Sequence, residues 1–160
     1  MRIKIEVNSD EQSDREHAEE GLEQLLGLLA SNPKTPRAVL SALSKKESPR
    51  LLCQVASNPQ AELATLDDLA QDPHESVRAC VADHPKATCL MWKLVKDPSP
   101  LVRYILASNR DLPEHIFSVL AKDENFRVAR RAKRTLKEIQ SQDSIVNRFF
   151  SVFATARRAS

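Results

Sequence analysis

Cys80 and His84 lie four residues apart, one turn of a helix, with Cys89 just beyond and His74 just before. Thiolate and imidazole at that spacing suit zinc, but a tetrahedral site needs a fourth ligand of defined spacing, and none is evident. His84 also stands where related segments of the chain carry Asn32, Asn58 and Asn109, so its expected work is structural. Cys80 and Cys89 fall where other segments place Ile105 or Leu63 and read as small core residues. Ser31, Ser57 and Ser108 recur at one kind of turn, where hydroxyls satisfy backbone groups far more often than they attack substrates. There is no G-x-S-x-G, no H-E-x-x-H and no glycine-rich phosphate loop, and the chain has only two glycines. No catalytic residue, metal or cofactor is expected, and the chain reads as a protein that is not an enzyme.

Cations form the second candidate. Arg78, Arg103 and Arg127 recur beside Asp72, Asp97 and Asp123. Each arginine is expected to pair with an aspartate or with turn carbonyls of an adjacent segment. A phosphate track is the alternative, weakened by the scarcity of aromatic residues for base stacking. Arg127, Arg130, Arg131, Lys133 and Arg134, with Lys137, make a dense basic patch suited to an acidic partner. Phe149, Phe150 and Phe153 follow as candidates for an apolar contact, and Ile145, Phe149, Val152, Phe153 and Ala156 share one helical face flanked by Arg148, Arg157 and Arg158.

These residues are positioned by a repeat. Leu29-Ala30-Ser31-Asn32-Pro33 returns as Val55-Ala56-Ser57-Asn58-Pro59, as Val81-Ala82-Asp83-His84-Pro85 and as Leu106-Ala107-Ser108-Asn109-Arg110. The alanines are 26, 26 and 25 residues apart. Large apolar residues keep step: Leu25, Leu51, Val77 and Val102 five before each alanine, then Leu40, Leu66, Trp92 and Phe117 ten after, and Leu43, Leu69, Val95 and Leu120 thirteen after. Asn-Pro or His-Pro halts one helix. A second, with a single apolar stripe, opens at Thr35-Pro36 or Leu112-Pro113, where proline suits the first helical position. Asp72-Pro73, Asp97-Pro98 and Asp123 close it and cap the next, which carries Val77-Arg78, Val102-Arg103 and Phe126-Arg127. Neither helix buries its stripe alone, so stacking must make the core. Leu66, Trp92 and Phe117 are expected inside it.

The pattern Asp72-Pro73 … Val77-Arg78-x-x-Val81-Ala82-x-x-Pro85, followed by a leucine-rich helix, resembles the variant leucine-rich repeat over residues 25–131. HEAT-type repeats share the Asp and Val-Arg elements but run longer. The resemblance implies an all-α, right-handed α-solenoid of short helix pairs, alternating α with 3-10 helix, here about four repeats of 25–26 residues with helical end caps. It implies a binding surface rather than a reaction. An N-terminal cysteine cluster holding iron and sulfur, carried by some members, has no counterpart before Cys53.

The ends depart from the repeat. Residues 1–30 read as a short strand or arm followed by an acidic capping helix. Ile3, Ile5 and Val7 alternate with Arg2, Lys4 and Glu6, a strand that would pair in a homodimer, join a partner's sheet, or fray. Ser13-Asp14-Arg15-Glu16 matches a capping box for a helix running to about Ala30. Residues 132–160 read as a basic and amphipathic helical cap or tail: folded back over the last repeat, exposed for docking on a partner groove or membrane surface, or disordered.

The chain's 160 residues suit one domain, with 41% hydrophobic and 29% charged residues. No apolar run is long enough for a membrane span or a secretory signal. Three unpaired-looking cysteines favour a reducing, cytoplasmic setting. A net charge of +2 conceals a gradient: residues 1–30 carry three basic and eight acidic side chains, residues 126–160 nine basic and two acidic. The expected function is a non-enzymatic repeat scaffold that binds another protein through its extended surface or its C-terminal helix. The alternative is nucleic-acid or anionic-surface binding through the basic C-terminal helices.

Overall fold

The computed structural model describes the backbone of residues 9–156 and the side chains of residue 15 and residues 17–141. Among the described residues every regular element is helical. In chain order they are α1 (Ser9–Ser31), α2 (Arg37–Leu43), α3 (Pro49–Ser57), α4 (Leu63–Leu69), α5 (Glu75–Asp83), a 3-10 helix (Pro85–Cys89), α6 (Met91–Leu94), α7 (Pro100–Leu106), α8 (Glu114–Leu120) and α9 (Phe126–Ala156). The strand read at residues 3–7, and any homodimer built on it, lies outside the described residues. Among the described residues no helix is long and apolar enough to cross a membrane.

Helices α1, α3, α5, α7 and α9 pack each against the next, and the short helices between them lie against this row. Ala30, Ala56, Ala82 and Ala107 are fully buried, which lets neighbouring backbones approach closely. One hydrophobic core runs from Ala30 to Ala132, filled by Leu40, Leu66, Val77, Val102, Phe117, Leu120 and Val128 among others.

Two sets of polar contacts bind each part of the row to the one before it. Asn58 Nδ2 donates to the Ala30 and Asn32 carbonyls at 2.6 and 2.8 Å. Asn109 Nδ2 does the same to Ala82 and His84 at 3.0 and 3.3 Å. Between them, His84 Nε2 lies 3.2 Å from the Asn58 carbonyl, and Thr135 Oγ1 ends the series by donating to Ala107 at 2.8 Å. The Ala30, Ala82 and Ala107 carbonyls sit at helix ends, where intrahelical donors run out, while those of Asn32, Asn58 and His84 accept a turn N–H as well. In the second set, Arg78 holds Asp97 through Nε and Nη2 at 2.7 and 3.0 Å, while its Nη1 donates to the Asp72 carbonyl at 2.8 Å. Arg103 repeats this with Asp123 at 2.7 and 3.0 Å and with the Asp97 carbonyl at 2.7 Å.

Several expectations need correction. Trp92 is not in the core: it is 54% exposed, its ring 5.6 Å from that of His115, and Leu90 and Leu94 are buried in its place. This segment is one residue shorter than its neighbours, and its chain after His84 winds as a 3-10 helix before α6. With three residues per turn instead of 3.6, the inward face arrives early. Strict alternation of α with 3-10 helix is likewise not found, because α2, α4 and α8 are α-helical and Pro85–Cys89 is the 3-10 segment among the described residues. Pro36 and Pro113 stand one position before the first helical residue of α2 and α8, not at it. Helix α1 begins at Ser9, ahead of the capping box at Ser13.

Leu25, aligned with buried Leu51, Val77 and Val102, is 62% exposed, because no described element precedes α1 to cover it. The Val-Arg register also slips at α9. Phe126 is 70% exposed and Val128 is buried, since Asn125 Oδ1 accepts from the Arg127 N–H and starts the helix there. Ala129, not Arg127, therefore takes the place of Arg103 in the helix. Helix α9 is one unbroken helix, so the basic stretch at 127–137 and the apolar stretch from 145 onward belong to a single rod.

Candidate functional site

Of the residues that suggested metal chemistry, Cys89 is exposed at the end of the 3-10 helix rather than the small core residue expected, and the others are already engaged. His84 Nδ1 accepts from the Lys86 N–H at 2.9 Å, so the neutral ring carries its proton on Nε2 and donates it to Asn58. Burial holds its pKa below the ordinary value against the pull of the Asn58 carbonyl. His74 Nδ1 lies 3.0 Å from Asp72 Oδ1. Burial, then the neighbouring Cys53 thiol, push Cys80 up to about 12, which keeps it a neutral thiol and a poor ligand or nucleophile. Cys53 Sγ donates to the Ser76 carbonyl at 3.4 Å. Among the described residues no group of three or more His, Cys, Asp and Glu is placed to hold a metal ion. Ser108 Oγ donates to the Tyr104 carbonyl at 3.0 Å. Ser31 and Ser57 line a shallow recess with Cys53 and Gln54.

The Arg-Asp pairs are structural as well. Arg103 and Asp123 are each 7% exposed, with every partner within the protein. Burial alone would raise the Asp123 pKa; the Arg103 guanidinium and the Asn125 N–H outweigh it and hold the carboxyl below its usual value.

Among the described residues a groove of about 840 Å³ lies between α7 and α9, and a smaller one of about 350 Å³ lies between α1 and α3. Pro100, Leu101 and Tyr104 line the larger from α7, while Phe126 and Val128 with Arg127, Arg130, Arg131 and Arg134 line it from α9. Leu101, Tyr104 and Phe126 are large apolar side chains left exposed to solvent. The arginines converge because 127, 130, 131 and 134 follow the i, i+3, i+4 and i+7 positions of one helical face. Arg127 and Arg130 make no ion pair among the described residues, and Arg131 Nε is buried there without a hydrogen-bond partner. Arg134 Nε is held at 2.9 Å by Glu138, which Arg110 also contacts.

Four of the five basic residues singled out in sequence thus meet in one place, and Lys133 does not line it. Phe149, Phe150 and Phe153 lie on the α9 backbone, but their side chains fall outside the described residues. Sequence reasoning missed Leu101 and Tyr104, whose i, i+3 spacing opposite buried Val102 and Leu106 was the available signal. It aligned Phe126 with Val77 and Val102, which are buried where Phe126 is exposed. Compared with family models, curated proteins and solved structures, the chain finds no match.

Proposed function

We propose that this chain is a non-enzymatic interaction module, a right-handed α-solenoid of the variant leucine-rich repeat type, whose α7–α9 groove binds an acidic, apolar segment of a partner protein. The observation that carries the reading is the groove itself: three exposed apolar side chains beside four guanidiniums, with a buried donor left unpaired. Apolar floor and cationic rim together select an amphipathic, acidic helix or strand. The recurring asparagine and arginine contacts between segments about 26 residues apart support the solenoid. The basic groove with Tyr104 and Phe126 also offers a second reading, single-stranded nucleic acid, through stacking and phosphate contacts.

The test is capture from lysate by the full chain and by a triple variant, Arg127→Glu, Arg130→Glu and Arg134→Glu, at low and high salt. The protein reading expects a protein partner held by the parent chain at high salt and lost from the variant. Nucleic acid recovered only at low salt would move the assignment to the second reading, because phosphate contacts weaken steeply with salt. Equal capture by both chains would remove the groove from the function.

A further inference from the structure

We propose that the α7–α9 groove is filled by the α1 face of a second copy of this chain, joining copies head to tail. The proposal rests on reading the groove as a site for an acidic, apolar helix, and it supplies the identity of that helix.

Leu25 and Leu29 of α1 align with Leu51 and Val55 of α3, Val77 and Val81 of α5, and Val102 and Leu106 of α7. The latter six are all buried. Leu25 and Leu29 are 62% and 41% exposed, and Leu22 and Leu28 are more than half exposed on the same helix. Leu22, Leu25 and Leu29 make an i, i+3, i+7 stripe, the form in which a helix presents itself to a groove. Glu19 is exposed beside this stripe, while Glu20 and Glu23 lie on the side of α1 that faces α3, where Glu23 accepts from Ser48 Oγ. Asn32, first in the asparagine series, is also exposed, and its side chain accepts from the Lys34 N–H through Oδ1 rather than reaching back to an earlier helix.

The groove at the far end of the helix row supplies what this face lacks: Leu101, Tyr104 and Phe126 for the leucines, and Arg127 and Arg130, with Arg134 beside them on Glu138, for Glu19 and the acidic excess of residues 1–30. The two surfaces belong to different ends of the molecule, so the contact is heterologous. It builds open chains or a closed ring rather than a two-fold dimer. Charge complementarity brings the ends together and is screened by salt.

The experiment is light scattering on the full chain across protein concentration, at low and high salt, with two variants checked for helicity by circular dichroism. One is Leu25→Ser with Leu28→Ser, which damages the head; the other is Arg130→Glu with Arg134→Glu, which damages the tail. The parent chain is expected to associate with rising concentration, more weakly but still measurably in high salt, because salt screens the charges and not the leucine contacts. Each variant alone is expected to be monomeric, and their mixture to form a 1:1 complex, because each supplies the surface that the other lacks. A parent chain monomeric throughout, or variants that stay monomeric when mixed, would overturn the proposal. An unrelated helical peptide of glutamate and leucine separates the two readings: if the monomeric parent binds it and the arginine variant does not, the groove reading survives and self-association fails. If neither binds, both fail.

Discussion

His84 does the work of an asparagine with a group that titrates. Its Nδ1 must stay unprotonated to accept from Lys86, and burial favours that neutral form. An unfolded histidine titrates near 6.5, so below that value the unfolded chain takes up a proton that the folded chain resists. The contribution of His84 is therefore present above about pH 6.5 and is lost as pH falls from there through the depressed folded value. The parent chain should melt at lower temperature at pH 5 than at pH 7, and His84→Asn should flatten that difference. An unchanged slope in the variant would show that the pH dependence arises elsewhere. The Asp123 contribution has the same sign in a lower window: it is present above the ordinary carboxylate value near 3.9 and lost as pH falls through its depressed folded value. Asp123→Ala leaves the buried Arg103 guanidinium with the exposed Glu124 as its remaining ionic partner and should cost about 3 kcal/mol in denaturant unfolding. Asp67→Ala removes a pair with Lys93 in which both side chains are over 40% exposed, and should cost about 1 kcal/mol or less.

At the scale of the element, the third segment tests how register is set. Leu94→Ala should cost about 2–5 kcal/mol, whereas Trp92→Ala should cost about 1 kcal/mol or less. A larger loss from Trp92 would put the sequence register back in force. The alanine spacing made the helix order, the turns and most of the core legible, because burial at 26-residue intervals repeats one set of contacts. It failed at Trp92, where a local change from 3.6 to three residues per turn rotates the face and leaves no trace in residue type. It failed again at Phe126, where the helix start at Asn125 set the phase and the Val-Arg likeness misled. The basic half of the groove was legible because 127, 130, 131 and 134 lie on one helix. Its apolar half is shared between α9 and α7, and only packing brings Leu101 and Tyr104 across to Phe126.

Over the whole molecule, charge and packing share an axis. The acidic side chains gather at α1, the basic ones at α9, and the core runs unbroken between. Contacts join each helix of the row to its neighbours, so stability is expected to be a sum of local terms. Overpacking one layer, as in Ala82→Leu, should then cost about 1–3 kcal/mol and strip hydrogen-exchange protection first from α5 and its immediate neighbours. Uniform loss from α1 to α9 would indicate a single cooperative block.

The asparagine series also makes the length of the protein negotiable. Excision of residues 33–58 would join Asn32 directly to Pro59 and rebuild the same Asn-Pro corner. His84 would then find the Asn32 carbonyl where it now finds that of Asn58, and both buried Arg-Asp pairs would keep all their partners. A chain assembled this way can lose a whole layer without breaking a sentence of its hydrogen-bond grammar, and by the same rule it can gain one.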